Sequence, residues 1–223
     1  SLLLSHTCAI RVDDNGGFDS ESLTTPVEYE DFFYSSNGLD MTREEAHSLA
    51  LKEARDLDAC GVTVAYLKDL KQVLYSSDSL DMSKGDVKNI ILTVAKQRVD
   101  PGTLRKTYKG LYSSDGLDMT KDEARQMALS FIGKDVSPIE DIVAIKKFVY
   151  SWSGGDLSKS DARARAVEAG NAGCEAYYFE EGYKSSRRSR DYKWAMDWAV
   201  PKSFGGQAMR YASDGWAYTA AQF

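Results

Sequence analysis

Three stretches of this chain hold several side-chain oxygens within nine residues: Tyr34–Thr42 (YSSNGLDMT), Tyr75–Ser83 (YSSDSLDMS) and Tyr112–Thr120 (YSSDGLDMT). Two weaker copies follow, Tyr150–Ser158 (YSWSGGDLS) and Tyr211–Thr219 (YASDGWAYT). Each lies between apolar periodic segments, so the chemistry to test first is a divalent cation held in a helix-loop-helix. The EF-hand calcium loop needs a ligating acid at its first position and a glycine at its sixth. With Gly116 at the sixth position, Leu111 falls at the first and Asp118 at the eighth, where an apolar residue belongs. The other copies put Phe33 and Leu74 at the first position. That register fails. What remains of the calcium reading is a divergent oxygen site drawn from Asp78, Asp81, Asp115, Asp118 and Glu123, with Ser114 beside them.

Catalytic patterns are sparse. His6 and His47 are the only histidines, and no Gly-x-Ser-x-Gly, His-Glu-x-x-His or phosphate-cradling glycine motif is present. Gly205-Gly206 is not followed by Lys-Ser or Lys-Thr. Glu180 and Glu181 are adjacent, and neighbouring residues on a helix diverge. No catalytic residue is assigned. A hydrolase with its site in 171–218 stands as an alternative, and the expectation is a protein without enzyme activity.

The least repetitive stretch, 171–218, combines eleven aromatic residues with the basic run Lys184, Arg187, Arg188, Arg190, Lys193. Arginine beside aromatic rings can stack on sugars, bases or partner side chains. The candidate binding residues are Tyr183, Arg187, Arg188, Arg190, Trp194, Trp198 and Trp216. Core packing competes with this reading, because Tyr192, Ala195 and Ala199 share a helical spacing and Trp194 and Trp198 are four apart. The function expected is a non-catalytic interaction or scaffold module for a protein or glycan partner, working chiefly through this C-terminal third.

Composition narrows the rest. The chain has 223 residues, 43% of them hydrophobic and 28% charged, enough for a sizeable core. It lacks any apolar run of about 18 residues, which excludes a helical membrane span and leads us to expect a soluble protein. Net charge is −6, which opposes the phosphate attraction that dominates nucleic-acid affinity. Cys8, Cys60 and Cys174 match no metal spacing and allow at most one bridge with one thiol left over. The start Ser1-Leu2-Leu3-Leu4-Ser5 reads as processed and leans toward a secreted or extracytoplasmic location. Oligomeric state is not expressed in the sequence.

The elements that position these residues are all helical. After the loops, Thr42, Ser83, Thr120, Ser158 and Thr219 read as N-caps, with Glu45, Asp86, Glu123, Asp161 and Gln222 three residues on as capping-box partners. Met41, Met82, Met119 and Leu157 precede the caps as hydrophobic staples. Apolar residues then recur at helical spacing, as in Val87, Ile90, Ile91, Val94 and Ala95. Ahead of the loops, Pro26, Pro101, Pro138 and Pro201 each mark a first helical position, and Thr63 starts the one partner helix without a proline. The loop tyrosine should end its helix in the core, the glycine should take a positive φ, and Leu and Met should cover the next helix start.

The fold class is therefore all-α: tandem helix-loop-helix repeats of about 38 residues, stacked as a short solenoid or a compact multi-helix bundle. The boundaries read as an arm (1–22), repeats at 23–61, 62–98, 99–134 and 135–170, a degenerate aromatic and basic repeat (171–200) and a truncated one (201–223). The last copy opens a helix at Thr219 that stops at Phe223, as if the array continued.

Overall fold

The caps start helices where the sequence puts them. In the computed structural model, which describes residues 25–152, 154–185 and 191–203 and the backbone of 210–211 and 217–218, Thr25, Thr42, Ser83, Thr120 and Ser158 each accept from the amide three residues on. Thr25 with Glu28, Thr42 with Glu45 and Thr120 with Glu123 close full capping boxes. Ser83 and Ser158 instead donate their hydroxyls to Asp86 (2.6 Å) and Asp161 (2.7 Å). Aspartate is one methylene shorter than glutamate, and here it meets the cap hydroxyl rather than the cap amide.

The described residues form ten helices and one two-residue ladder. Four helices belong to the first of two compact units, which divide at Arg105 and Lys106: α1 (Pro26–Tyr34), α2 (Arg43–Ala59), α3 (Val64–Tyr75) and α4 (Lys84–Lys96). The division falls within α5 (Pro101–Tyr112). The second unit holds α6 (Lys121–Phe131), α7 (Ile139–Tyr150), α8 (Lys159–Asn171), α9 (Ala176–Ser185), α10 (Tyr192–Ser203), β1 (Arg210–Tyr211) and β2 (Ala217–Tyr218). Helices pack as sequential pairs, α1 on α2, α3 on α4, α7 on α8 and α9 on α10; α1 also meets α3, and α7 meets α9.

In the first unit Tyr29, Phe33, Leu57, Leu67, Leu70, Leu74, Leu80 and Ile91 are fully buried. Burying large apolar side chains contributes about 1.5–3 kcal/mol each, so these set the unit's stability. Two tyrosines tie consecutive pairs in the same way: Tyr29 donates to the Val62 carbonyl at 2.6 Å and Tyr66 to the Val99 carbonyl at 2.7 Å. Gly61 and Arg98, one residue earlier, both have positive φ (+61° and +54°), turning the chain out of α2 and α4. In the second unit the alanine-rich α8 packs closely on α7. Ala162, Ala166, Ala169 and Gly170 are buried, and a Cβ on Gly170 would lie 2.6 Å from Ile142 of α7.

The first three loops share one hydrogen-bond pattern, and the fourth repeats its bonds to Ser151 and Val149. In the third, the amides of Gly116 and Asp118 donate to the Ser113 carbonyl, that of Leu117 to Gly110 and that of Met119 to Leu111, all at 2.9–3.0 Å. The first and second copies repeat every bond. Two expectations are corrected here. Positive φ belongs to Asp40, Asp81, Asp118 and Asp156 (+54°, +52°, +56°, +51°), not to the glycines; aspartate tolerates that region because its short polar side chain bonds locally. Glycine is needed for space, since a Cβ on Gly38, Gly116 or Gly154 would lie 1.6–1.9 Å from a carbonyl oxygen of the preceding helix. The loop tyrosines are also not core residues. Tyr34, Tyr75, Tyr112 and Tyr150 are exposed, and the core position belongs to the residue before each, Phe33, Leu74, Leu111 and Val149. Leu39, Leu80, Leu117, Met82 and Met119 are buried as expected.

The prolines do not all begin helices. Pro26 and Pro101 are first helical residues. Pro138, however, is itself the N-cap of α7, and the Ser137 hydroxyl donates to the Cys174 carbonyl (2.8 Å) instead of capping. Pro201 lies inside the last turn of α10. That helix is started by Asp191, whose carboxylate accepts from the Lys193 and Trp194 amides. In the fifth loop copy Tyr211 pairs with Ala217 and Arg210 with Tyr218 in an antiparallel ladder, which the helical reading did not anticipate. The arm (1–22) and the helix start at Thr219 lie outside the described residues.

Candidate functional site

Two of the recurrent aspartates, Asp40 and Asp118, meet lysines and arginines of the next helix pair. The Asp40 carboxylate is 3.4 Å from Lys84 and its carbonyl accepts from Lys88 at 2.7 Å, while Lys71 donates to the Asn37 carbonyl at 2.8 Å. In the second unit Asp118 pairs with Lys159, and its carbonyl accepts from Arg163 at 2.8 Å. The places match: Lys84 and Lys159 open α4 and α8, Lys88 and Arg163 follow four residues on, and Lys71 and Lys146 lie four residues before a loop tyrosine. The hydrogen bond and charge of Lys159 hold the Asp118 carboxyl below its usual range.

Of the other oxygen donors proposed for calcium, Glu123 accepts from Thr120 in the capping box, which lowers its pKa. Asp78, Asp81 and Asp115 are exposed. Among the described residues no three His, Cys, Asp or Glu side chains are grouped as metal ligands are.

The aromatic C-terminal stretch divides between core and surface. Tyr183 is buried, donates to the Gly154 carbonyl at 3.2 Å, and stacks edge-on with Phe148 at 5.2 Å. Trp194 and Trp198 stack on each other at 6.3 Å and are half-buried on α10. Lys202 lies 3.8 Å over the Trp198 ring, and a Cβ on Gly182 would come within 2.7 Å of that indole, so Trp198 serves the α9–α10 contact. Tyr177 is 70% exposed. Arg187, Arg188, Arg190 and Trp216 lie outside the described residues.

Among the described residues the most exposed large aromatic is Trp152, which the sequence pattern had not singled out. Trp152 is 84% exposed and occupies the loop position filled by the exposed Ser36, Ser77 and Ser114 in the other copies. That exchange of serine for tryptophan was a readable signal. The loop tyrosines accompany it, with Lys146 lying 5.6 Å over the Tyr150 ring.

Two crevices lie within the first unit. One, of about 300 Å³, is lined by Asp69, Gln72, Ser76, Asp100 and Arg105; Asp100 there is committed to capping α5 through the Thr103 amide at 2.6 Å. The other is a shallow cleft between the first loop and Lys71, Tyr75, Lys84 and Lys88. Neither gathers a nucleophile with a base. His47 is on the surface, 2.7 Å from Glu30, and Glu180 and Glu181 diverge to Lys184 and Lys202.

Cys60 is disulfide-bonded, and Cys174 is free and buried. Burial, with Asp197 nearby, pushes the Cys174 thiol up to about 12. A thiol with a folded pKa above its unfolded value favours the fold at pH below about 8.5 and loses that contribution as pH rises toward 12. Native Cys174 is expected to resist iodoacetamide at pH 8 and to be alkylated within minutes in 6 M urea, as read by mass spectrometry. Rapid native alkylation would place it on an accessible face.

Among the described residues, no helix is long and apolar enough to cross a membrane. No curated protein and no solved structure matches the chain. The model of one family, the domain of unknown function DUF8283, matches residues 20–198, from just ahead of the first capped helix through most of α10, and the chain belongs to that family.

Proposed function

We propose that the chain is a non-catalytic interaction module, built of tandem helical hairpins of about 38 residues, that takes a protein or glycan partner through aromatic side chains displayed at its loops. The observation that supports this is the repeated exposure of Tyr34, Tyr75, Tyr112 and Tyr150 at one corner of four loops whose other residues serve structure, together with Trp152 in the fourth. Keeping several large aromatics in water costs hydrophobic free energy, and a partner that covers them recovers it. Tyrosine and tryptophan also dominate binding energy where interfaces have been dissected. The emphasis moves from Trp194 and Trp198, which pack within α9 and α10, to Trp152, Tyr150 and Tyr177.

The test compares the wild type with a Trp152→Ser, Tyr150→Ser, Tyr177→Ser triple variant on a glycan array and in cross-linking against an extract of the source cells. All three residues are exposed, so the variant is expected to melt within about 3 °C of the wild type. It should lose at least tenfold in whatever the wild type retains. Equal retention by both, or none by the wild type, would remove the proposal.

A further inference from the structure

We propose that Lys146, Lys159 and Arg163 form a binding site for a tetrahedral oxyanion, a phosphate or sulfate ester, above the Asp118 corner of the third loop. The observation that points to a ligand is Lys146, which is 6% exposed. Its ammonium lies 5.6 Å over the face of Tyr150 and has the Asp118 charge nearby; no oxygen among the described residues accepts a hydrogen bond from it. The stem of this lysine is buried while its Nζ still meets solvent, where an arriving oxyanion would accept from it. An aromatic face does not replace an acceptor.

Further donors and charge surround it. Arg163 gives one terminal nitrogen to the Asp118 carbonyl at 2.8 Å and places the other 3.7 Å from Glu123, while its Nε is buried with no partner. Lys159 pairs with the Asp118 carboxylate. Around Lys146 the cations Lys159, Lys147 and Arg163 are opposed by Asp118, since Glu123 is already held by Thr120. Burial first, and then these neighbouring cations, push the Lys146 ammonium below its usual range. An anion at this corner would supply an acceptor for Lys146 Nζ and reverse that push. Charge-assisted bonds from lysine and arginine to a tetrahedral oxyanion are among the stronger ones a protein makes.

The first unit supplies an internal control. Lys71, Lys84 and Lys88 occupy the same places around Asp40, yet all three are matched there, Lys71 by Asn37, Lys84 and Lys88 by Asp40. That corner is closed by the chain's own oxygens. The corner at Lys146 is open.

The experiment follows melting of the full chain in phenyl phosphate and in phenyl sulfate, each against sodium chloride at equal ionic strength, for the wild type, Lys146→Met and Lys71→Met. Kosmotropic anions raise melting temperatures generally, so the readout is the difference between variants. The wild type and Lys71→Met should gain about 3 °C or more from at least one ester at ten times its dissociation constant. Lys146→Met should lose that gain while melting no lower than the wild type in chloride. The ester that acts identifies the source, a phosphate monoester or a sulfate ester. The same gain in Lys146→Met, or no gain in the wild type up to 20 mM of either ester, overturns the proposal. Should Lys146→Met fail to fold, isothermal titration of the wild type and Lys146→Arg with the same esters decides: heat in both supports the site, and no heat in either overturns it.

Discussion

Gly116→Ala is expected to destabilise the protein by about 2–3 kcal/mol in urea denaturation, the upper end of what overpacking costs. The added Cβ would lie 1.8 Å from the Gly110 carbonyl oxygen, and that carbonyl already accepts from the Leu117 amide at 2.9 Å. The methyl cannot be accommodated without moving backbone that α5 and the loop share. The family of loops contains its own partial experiment. Ser79 stands at this place in the second copy, where the corresponding bond from the Leu80 amide to the Val73 carbonyl is 3.2 Å, the longest of the three. The Ser79 hydroxyl is buried with no partner. Ser79→Gly should therefore stabilise by up to about 1 kcal/mol, the relief of an unmatched hydroxyl exceeding the entropy that glycine costs. As a control, Gly85→Ala in the first turn of α4, where a Cβ meets only the Ser83 hydroxyl at 3.8 Å, should be neutral or gain about 0.5–1 kcal/mol. Gly116→Ala behaving like Gly85→Ala would refute the loop geometry.

Phe179→Ala should cost about 3–5 kcal/mol, the range for deleting a buried aromatic ring. Phe179 is 1% exposed and meets Phe148 edge-on at 6.5 Å; Phe148 in turn meets Tyr183 at 5.2 Å, and Tyr183 meets Tyr192 at 5.3 Å. This chain of rings joins α7, α9 and α10. Tyr177, two residues earlier on α9, is exposed, and Tyr177→Ala should stay within about 0.5 kcal/mol of the wild type. The contrast decides what the aromatic stretch does. If Phe179→Ala cost less than 1 kcal/mol, α9 would not be anchored by its rings, and the stretch as a whole would be free to serve as a binding surface.

Helix starts were the most legible part of the fold, because a cap is local chemistry. Thr42, Glu45 and Met41 lie within five residues of one another and satisfy the same few amides wherever the helix later packs. The prolines misled where local chemistry admits two answers. A fixed φ suits a first helical residue, but it also suits the cap at Pro138, and at Pro201 a last turn that Asp191 had already started upstream. The loop was read correctly as a joining device and incorrectly in detail. The sequence shows a glycine and an aspartate together in three copies but not which of them takes positive φ; that follows from the approach of the loop to the preceding carbonyl, which crowds the glycine and leaves the turn to the aspartate.

The functional surface was harder to read, since exposure depends on neighbours that are distant in sequence. Tyr183, Trp194 and Trp198 look like a binding cluster by composition, yet Tyr183 is buried against Phe148, some 35 residues upstream, and Trp198 closes on Gly182. Trp152 could have been found by aligning the copies, because a large aromatic replaces a serine at a position whose role in the loop needs no side chain. Lys146 could not. Its spacing is that of any lysine on an amphipathic helix, and only the arrival of α8 against the Asp118 corner buries it and surrounds it with cations.

The sequence by itself determined the recurrent Tyr-Ser-Ser-x-Gly-Leu-Asp-Met-Thr loop, the capped helices that flank it and the all-α class, because those depend on contacts between residues fewer than ten apart. The tertiary structure alone decided which side of the loop faces water and which lysines lose their solvent. Both outcomes depend on where the next helix pair lands, and the physical reason is that desolvation is a property of the assembled neighbours rather than of the residue that suffers it.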